Sequence, residues 1–194
     1  PLVDAQVEVA RAIDGVHNCA EVLRSDGGRE VPMTASAAAA GRLAFTTHEP
    51  IGAVIAISAF NHPLNLIVHQ VGPAVAAGCP VVVKPAEDTP LSCFAFIDLL
   101  REAGLPAGWA QALVTDGPET AEALATDPRV AFLSFIGSAR VGWHLRSRLA
   151  PGTRCALEHG GAAPVLVDGD MDPADVVPAL AKGGFYHAGQ VCVS

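Results

Sequence analysis

Cys192 lies in a segment of this 194-residue chain whose composition suits a nucleophile. Gly189 comes three residues earlier, and glycine lets the backbone turn sharply before the cysteine. A cysteine is reactive when its thiolate form is favoured and accessible. Most cysteines are instead buried and inert, so the residue type alone does not decide its role. The loop context is what favours a nucleophile at Cys192.

Asn61 and Glu158 could assist such a nucleophile. The amide of Asn61 can donate a hydrogen bond to a developing oxyanion, although asparagine is also common in turns and at helix ends. Glu158 leaves an apolar strand beside two glycines and has no lysine nearby in sequence, which makes it a candidate general base. Most exposed glutamates are only solvated, so this role depends on where the fold places the side chain.

Two further segments could bind a nucleotide. Lys84 ends an apolar strand and Glu87 follows it, and both can hydrogen-bond a sugar hydroxyl. The simpler interpretation is that the lysine stem lies along the sheet and carries its charge out to solvent. Gly137 and Ser138 separate a strand from a helix, where backbone N–H groups can face an anion. An ordinary helix N-cap is the alternative there, and the common G-x-G-x-x-G fingerprint is absent.

Strand and helix signals alternate along most of the chain. Apolar runs predict strands at 51–58, 80–84, 112–115, 130–135, 155–157 and 164–167. Helical spacing, Gly and Pro stops and capping residues predict helices at 1–25, 64–77, 89–103, 119–126, 139–149 and 172–187. Short strands at 29–33 and 42–47 predict a hairpin. This βαβ alternation predicts an α/β fold with a doubly wound parallel sheet, which binds ligands at the carboxyl ends of its strands.

Composition and charge exclude several classes of function. The net charge of −8 and the absence of any Lys/Arg run argue against a nucleic-acid partner. The sequence shows no signal-peptide pattern and no apolar run of about 18 residues, so we expect neither a secretory signal nor a membrane span in it. The five cysteines are odd in number and form no C-x-x-C pair, which disfavours disulfides and zinc. A reducing, cytoplasmic location is therefore expected, and the scattered histidines predict no metal site.

Five segments, in order, resemble motifs of the aldehyde dehydrogenase superfamily. They are the asparagine motif at 60–64, the lysine–proline cofactor strand at 83–87, the F-T-G-S-x-x-V-G turn at 135–142, the L-E-L-G-G motif at 157–161 and the G-Q-x-C loop at 189–192. The resemblance covers essentially the whole chain, but only the middle part of a family member. Pro1 and Ser194 both fall within continuing patterns, so we expect a fragment of a longer protein.

The resemblance implies a domain organisation and a reaction. Residues 1–160 would form a Rossmann-like NAD(P)-binding domain, with 29–48 as an oligomerisation hairpin within it, and 161–194 would begin a truncated catalytic domain. The reaction would oxidise a small aldehyde to a carboxylate. Cys192 would attack the aldehyde to give a thiohemiacetal, and Asn61 with the Cys192 backbone N–H would hold the oxyanion. Glu158 would activate the water that hydrolyses the resulting thioester.

The resemblance also implies how the cofactor is held. Lys84 and Glu87 would bind the adenosine ribose, Ser138 would lie near the pyrophosphate, and Gly117 and Val141 would lie near the adenine. A carboxylate at position 87 favours a free 2′-hydroxyl and therefore NAD, with NADP as the alternative. The full implied set is Ile57, Ser58, Ala59, Phe60, Asn61, Lys84, Pro85, Ala86, Glu87, Gly117, Pro118, Phe135, Gly137, Ser138, Val141, Glu158 and Gly160.

The chain departs from the family pattern at four positions. Phe60 replaces a common tryptophan, His62 a Phe or Tyr, Ile136 a threonine, and His159 the leucine beside the candidate base, where a histidine could shift the pKa of that base. The run at 60–66 is similar to the branch that contains lactaldehyde, phosphonoacetaldehyde and non-phosphorylating glyceraldehyde-phosphate dehydrogenases. That branch indicates a small, polar or anionic aldehyde.

Two other functions remain open at this point. A relative that passes the acyl group to coenzyme A usually lacks the glutamate, so Glu158 counts against it. A non-catalytic nucleotide-binding or structural relative is disfavoured because Cys192, Glu158 and Asn61 occur together. The full-length protein is expected to be a homodimer or homotetramer. For the isolated chain we expect at most weak nucleotide binding and no turnover.

Overall fold

The computed structural model describes residues 2–193. Its α-helices are α1 (Leu2–Ser25), α2 (Asn65–Ala76), α3 (Leu91–Glu102), α4 (Pro118–Ala125), α5 (Ala139–Arg148) and α6 (Pro173–Phe185). Its strands are β1 (Arg29–Val31), β2 (Ala44–Thr46), β3 (Ala53–Ile57), β4 (Val81–Lys84), β5 (Ala110–Ala112), β6 (Val130–Gly137) and β7 (Arg154–His159). Short 3₁₀ turns occur at Ala37–Ala39 and Tyr186–Gly189. Among the helices described here, none has both the length and the apolar character needed to cross a membrane.

Five of the strands form a parallel sheet in the order β5-β4-β3-β6-β7. The prediction of a doubly wound parallel α/β sheet is therefore confirmed. The chain moves outward from β3 through β4 to β5, then returns to the other side of β3 to form β6 and β7. The switch point consequently lies between β3 and β6, where Ile57 is opposite Phe135. Folds of this type bind ligands outside the carboxyl ends of the strands at such a point.

The central strand β3 is buried on both faces, as its continuous apolar run predicted. Val54 and Ala56 belong to the core between the sheet and α2 and α3, whereas Ile55 and Ile57 belong to the core on the α5 side. Alternate side chains of a strand point to opposite faces. This two-sided burial fixes the position of β3 and thus of the residues that follow it.

The predicted hairpin forms as a separate antiparallel pair. Strands β1 and β2 pair with Arg29 opposite Thr46 and Val31 opposite Ala44, and both strands are shorter than predicted. The hairpin is not part of the parallel sheet. Helix α1, which precedes it, packs on α2 with Ala12 buried.

Three sequence predictions about secondary structure need correction. The strand predicted at 164–167 does not form, and Leu166 is 97% exposed; a strand needs a hydrogen-bonded neighbour, and the described chain offers none beyond β7. The strand predicted at 112–115 is found at Ala110–Ala112, because the pairing with β4 sets its register. The last helix ends at Phe185, since His187 and Ala188 adopt left-handed backbone angles.

Gly142 in α5 provides a test of the packing beneath the end of β7. A Cβ atom at Gly142 would overlap Nε2 of His159 and lie 3.0 Å from Cδ1 of Phe135. We expect Gly142→Ala to lower the free energy of unfolding by about 1–3 kcal/mol, as overpacking of a core does. Urea denaturation measures this change.

Gly183 in α6 is the matched control, because it is also helical and a Cβ there meets nothing within 4 Å. Gly183→Ala should leave stability unchanged or raise it slightly through better helix propensity. Equal stability of the Gly142 and Gly183 variants would contradict the packing described here.

Candidate functional site

Asn61, Glu158 and Cys192 line one cleft of about 460 Å³ at the carboxyl end of the sheet, called here the Cys192 cleft. Asn61 lies in the turn after β3, and Glu158 lies near the end of β7, opposite Ile136 of β6. Cys192 follows α6 and is the exposed member of the five cysteines, all of which are free. Three residues separated widely in sequence are thus brought to one site.

A hydrogen bond joins Asn61 to the segment that carries the cysteine. Nδ2 of Asn61 donates to the carbonyl oxygen of Gln190 at 2.7 Å. An asparagine amide has two N–H donors, so this bond uses one of them. The amide of Asn61 is therefore bonded to the residue two positions before Cys192.

The backbone before Cys192 turns through three successive left-handed residues. His187, Ala188 and Gly189 have φ values of 52°, 56° and 72°. Only glycine adopts this conformation without a steric cost, so two of the three positions are strained by about 1–2 kcal/mol each. His62 stacks on His187 with ring centroids 5.1 Å apart, a contact that supports this turn.

Burial lowers the pKa of His62. The charge of His187 acts in the same direction, and the carboxylate of Glu8 opposes both. A lowered pKa means that the imidazole loses its proton at a lower pH than an exposed histidine. The ring that replaces the family's usual Phe or Tyr is therefore in its neutral form at neutral pH.

Glu158 and His159 leave opposite faces of β7. Glu158 is exposed on the side of the Cys192 cleft. His159 packs edge-on against Trp143 and Phe135, with ring centroids 5.6 and 6.1 Å away. Its Nε2 atom is buried and has no hydrogen-bond partner among the described residues. The histidine at this position thus packs under α5.

A second cleft of about 930 Å³, called here the Lys84 cleft, lies between the ends of β3, β4 and β6 and the helices α4 and α5. Seven of the predicted cofactor residues line it: Ile57, Lys84, Glu87, Gly117, Pro118, Phe135 and Val141. Ala59, Phe60, Asn61, Gly137, Ser138, Glu158 and Gly160 instead line the Cys192 cleft. Ser58, Pro85 and Ala86 line neither. The two clefts adjoin at the end of β6, where Phe135 lines the Lys84 cleft and Gly137 lines the Cys192 cleft.

Lys84 is buried and paired, with only 6% of its surface exposed. Its Nζ donates to Oε1 of Glu87 at 2.5 Å and to the carbonyl oxygen of Pro85 at 3.3 Å. The hydrogen bond from Lys84 lowers the pKa of Glu87, so that carboxylate is ionised at neutral pH. Lys84 therefore does not carry its charge out to solvent, and the pair presents an acceptor and a donor to the cleft.

Ser138 is the N-cap of α5. Its Oγ accepts a hydrogen bond from the backbone N–H of Val141 at 3.4 Å. The ordinary capping role considered for this residue is thus observed. Ser138 lines the Cys192 cleft, whereas Arg140 and Val141 line the Lys84 cleft, so the first turn of α5 borders both clefts.

Sequence reasoning missed one cluster in the wall of the Lys84 cleft. Glu122 of α4 bonds Nε2 of His144 at 2.8 Å and Nε of Arg148 at 2.9 Å, both from α5. The bond to His144 is the main cause of a lowered pKa at Glu122. His144 and Arg148 are four residues apart and so share a helix face, but nothing in the sequence identifies their partner on another helix. Thr115, Asp116, Ala121, Arg140 and Leu145 were also missed as lining residues.

The fold and site define a doubly wound α/β domain with a cysteine loop at its switch point. The family model described as "Aldehyde dehydrogenase family" matches residues 1–194. The chain belongs to the aldehyde dehydrogenase family.

Three similar proteins illustrate this membership. The 3-sulfolactaldehyde dehydrogenase of Priestia aryabhattai is 39% identical over 191 residues, which are 98% of this chain and 40% of that protein. The crystal structure of aldehyde dehydrogenase 21 from Physcomitrella patens, in complex with the reaction product succinate, has a TM-score of 0.91 and 38% identity over 99% of this chain and 40% of its own. Glyceraldehyde-3-phosphate dehydrogenase GapN from Methanocaldococcus jannaschii, complexed with NADP, has a TM-score of 0.91 and 35% identity over 100% of this chain and 42% of its own. The chain thus spans about 40% of the length of such relatives.

Thiol labelling tests the environment of Cys192. Burial raises the pKa of the Cys93 thiol to about 12 and also raises that of Cys19. At pH 8 only about one Cys93 side chain in 10⁴ is a thiolate, which is the form that reacts. We therefore expect iodoacetamide to modify Cys192 first and Cys93 only after denaturation, as measured by peptide mass spectrometry. Labelling of Cys192 at the rate of the other four would favour a non-catalytic relative.

Proposed function

We propose that this chain is the cofactor-binding and nucleophile-bearing part of an NAD(P)-dependent aldehyde dehydrogenase that produces a carboxylate. The observation that carries this proposal is the convergence of Cys192, Asn61 and Glu158 in one cleft. A cysteine, an amide donor and a carboxylate are the groups needed to form, stabilise and hydrolyse an acyl intermediate. The family membership and the succinate bound to the Physcomitrella patens enzyme support this reaction.

The first step is attack of the Cys192 thiolate on the aldehyde carbon. The C–S bond forms as the carbonyl π electrons move to oxygen, which gives a thiohemiacetal oxyanion. The amide of Asn61 and the backbone N–H of Cys192 donate hydrogen bonds to that oxygen. The bond between Asn61 and Gln190 leaves the second amide N–H available for this purpose.

The second step is hydrolysis. It follows the oxidation of the thiohemiacetal to a thioester on Cys192, for which a bound nicotinamide would supply the hydride acceptor. Glu158 then takes a proton from a water molecule as that water adds to the thioester carbon. The C–S bond breaks, the carboxylate leaves and the Cys192 thiolate is restored. The exposure of Glu158 on the cleft side of β7 gives that water access.

The residues of the Lys84 cleft fit an adenine dinucleotide. Lys84 is a buried donor and Glu87 an ionised acceptor at the end of β4, a combination suited to ribose hydroxyls. The N-terminus of α5, capped by Ser138, suits a pyrophosphate. Gly117 and Val141 line the part of the cleft between α4 and α5 that would take the adenine. The ionised Glu87 repels a 2′-phosphate, which favours NAD, with NADP as the alternative that the GapN complex illustrates.

The substrate proposed is a small, polar or anionic aldehyde. The sulfo group in the substrate name of the Priestia aryabhattai enzyme and the succinate bound to the Physcomitrella patens enzyme are consistent with this class.

We assign residues 1–160 to the cofactor-binding domain and 161–194 to the start of a catalytic domain. No residue described after Gly160 is buried, as expected for a segment whose core lies elsewhere. We place the protein in the cytoplasm as a homodimer or homotetramer, with the β1–β2 hairpin at the subunit contact.

Substitutions at Cys192 and Glu158 separate the two steps. In the complete protein, Cys192→Ala should lower kcat by about 10³-fold or more, because no covalent intermediate can form. Glu158→Gln should still form the thioester but hydrolyse it slowly, so an acyl adduct should accumulate on Cys192. NADH absorbance measures the first effect and intact-protein mass spectrometry the second.

Cys79→Ala is the matched control, because that thiol lies just before the amino end of β4, outside both clefts. It should retain the wild-type kcat. Full activity of Cys192→Ala would refute the proposed mechanism, and formation of an acyl-CoA in place of carboxylate would favour the coenzyme A-dependent relatives.

Glu87→Gln tests the cofactor preference. Removing the carboxylate removes a like charge from the position of a 2′-phosphate and releases Lys84 to pair with it. We expect the ratio of kcat/KM for NADP to that for NAD to rise roughly tenfold or more, since like charges that face one another cost several kcal/mol. Glu102→Gln, an exposed carboxylate at the end of α3, should not change the ratio. An unchanged ratio in Glu87→Gln would remove Glu87 from the cofactor site.

A further inference from the structure

The N-terminus of α2 has no cap from its own neighbourhood in sequence. Leu64 occupies the capping position and supplies no side-chain hydrogen bond. The first N–H groups of a helix have no partner within the helix and need acceptors from elsewhere. Here the backbone N–H groups of Leu64 and Asn65 both donate to Oε1 of Glu8, at 2.7 and 2.9 Å. Glu8 belongs to α1 and precedes these residues by 56 and 57 positions.

Helix α1 is held close to α2 farther along the pair. A Cβ atom at Gly15 would lie 3.1 Å from Cγ1 of Val68, and one at Gly72 would lie 3.1 Å from Sγ of Cys19. Both distances are shorter than the ordinary van der Waals contacts of a Cβ atom, so the two helices approach closely at these glycines. The position of Glu8 relative to α2 is therefore set by helix packing.

The turn that Glu8 caps leads directly into Asn61. Only His62 and Pro63 separate Asn61 from the capped residues. Asn61 bonds the carbonyl oxygen of Gln190, and His62 stacks on His187. The turn therefore contacts the segment before Cys192 at two points, and a change in the turn would change both.

The charge of Glu8 suits this position. A carboxylate at a helix N-terminus interacts favourably with the positive end of the helix dipole. Both capping bonds go to one oxygen of Glu8, so a neutral amide of the same shape could also accept them. The substitution Glu8→Gln thus separates the effect of the two hydrogen bonds from the effect of the negative charge.

We propose that Glu8 is a positioning residue for the candidate oxyanion donor. Its two bonds to the start of α2 hold residues 61–65 in the conformation that directs the Asn61 amide at the Cys192 segment. The catalytic consequence rests on the proposed function, whereas the effect on the conformation of the turn does not.

The test compares Glu8→Ala, Glu8→Gln and Glu21→Ala in the complete protein. Glu21 is an exposed glutamate of the same helix and serves as the control. Hydrogen exchange of peptides covering 61–66 reports the turn, and steady-state kinetics with active-site titration report catalysis. Glu8→Ala should speed exchange in these peptides and lower kcat per active site on the order of tenfold, because small displacements of a catalytic group are costly. Its KM for the cofactor should change by less than about twofold, since the Lys84 cleft is untouched.

Glu8→Gln should restore most of both properties, and Glu21→Ala should resemble the wild type. The proposal is overturned if Glu8→Ala changes neither the exchange nor kcat, or if Glu8→Gln is as impaired as Glu8→Ala. It is also overturned if Glu8→Ala lowers the melting temperature but leaves kcat per active site unchanged. If the wild-type protein forms no NADH from any aldehyde, the proposed function fails, and hydrogen exchange at 61–66 alone then decides the role of Glu8.

Discussion

The pairing of β3 with β6 is the constraint on which the rest of the site depends. These strands are neighbours in the sheet, but their connections leave in opposite directions, which opens a crevice at their carboxyl ends. Gln70 of α2 secures the pair just before it opens. Its Nε2 is within hydrogen-bonding distance of the carbonyl oxygen of Ile57, at 3.2 Å, and of that of Ser134, at 3.0 Å. One buried amide thus connects a helix to both strands at the level where the two clefts begin.

Electrostatics in the Lys84 cleft follow from the burial of Lys84. A buried ammonium group is tolerated when it is paired and hydrogen-bonded, and Glu87, in the loop that follows β4, meets that requirement. The pair has no net charge but keeps one strong donor and one ionised acceptor. Such a pair favours neutral hydroxyl groups over a phosphate. If a phosphate bound there, it and the carboxylate of Glu87 would both be negative and would share the single positive charge of Lys84. The preference for NAD that we propose is therefore a consequence of how the lysine is stabilised.

Much of the fold and of the site could be predicted because local patterns reflect it directly. Strand β3 is buried on both faces and so appears as a continuous apolar run, and the carboxyl ends of parallel strands are where Asn61, Lys84 and Glu158 were expected. The run at 164–167 has the same composition but no neighbouring strand, so composition alone gave the wrong answer there. The bonds of Glu8 to α2 and of Glu122 to α5 were not predicted. They join residues that are distant in sequence, and helical periodicity indicates which face a residue occupies without identifying its partner.

The departures from the family motifs can be understood in the same terms. Alternation along β7 sends His159 toward α5 and Glu158 toward the Cys192 cleft, so a change at one position need not disturb the other. The imidazole of His159 fits because Gly142 has no side chain where the ring lies. Trp143 then covers its edge, and the guanidinium of Arg146 lies 5.0 Å from the centre of the tryptophan ring. His159 still lines part of the Cys192 cleft, but its ring packs against α5, at the expense of one buried ring nitrogen without a partner among the described residues. That arrangement explains how the motif can vary next to Glu158 while the candidate base retains its place in the cleft.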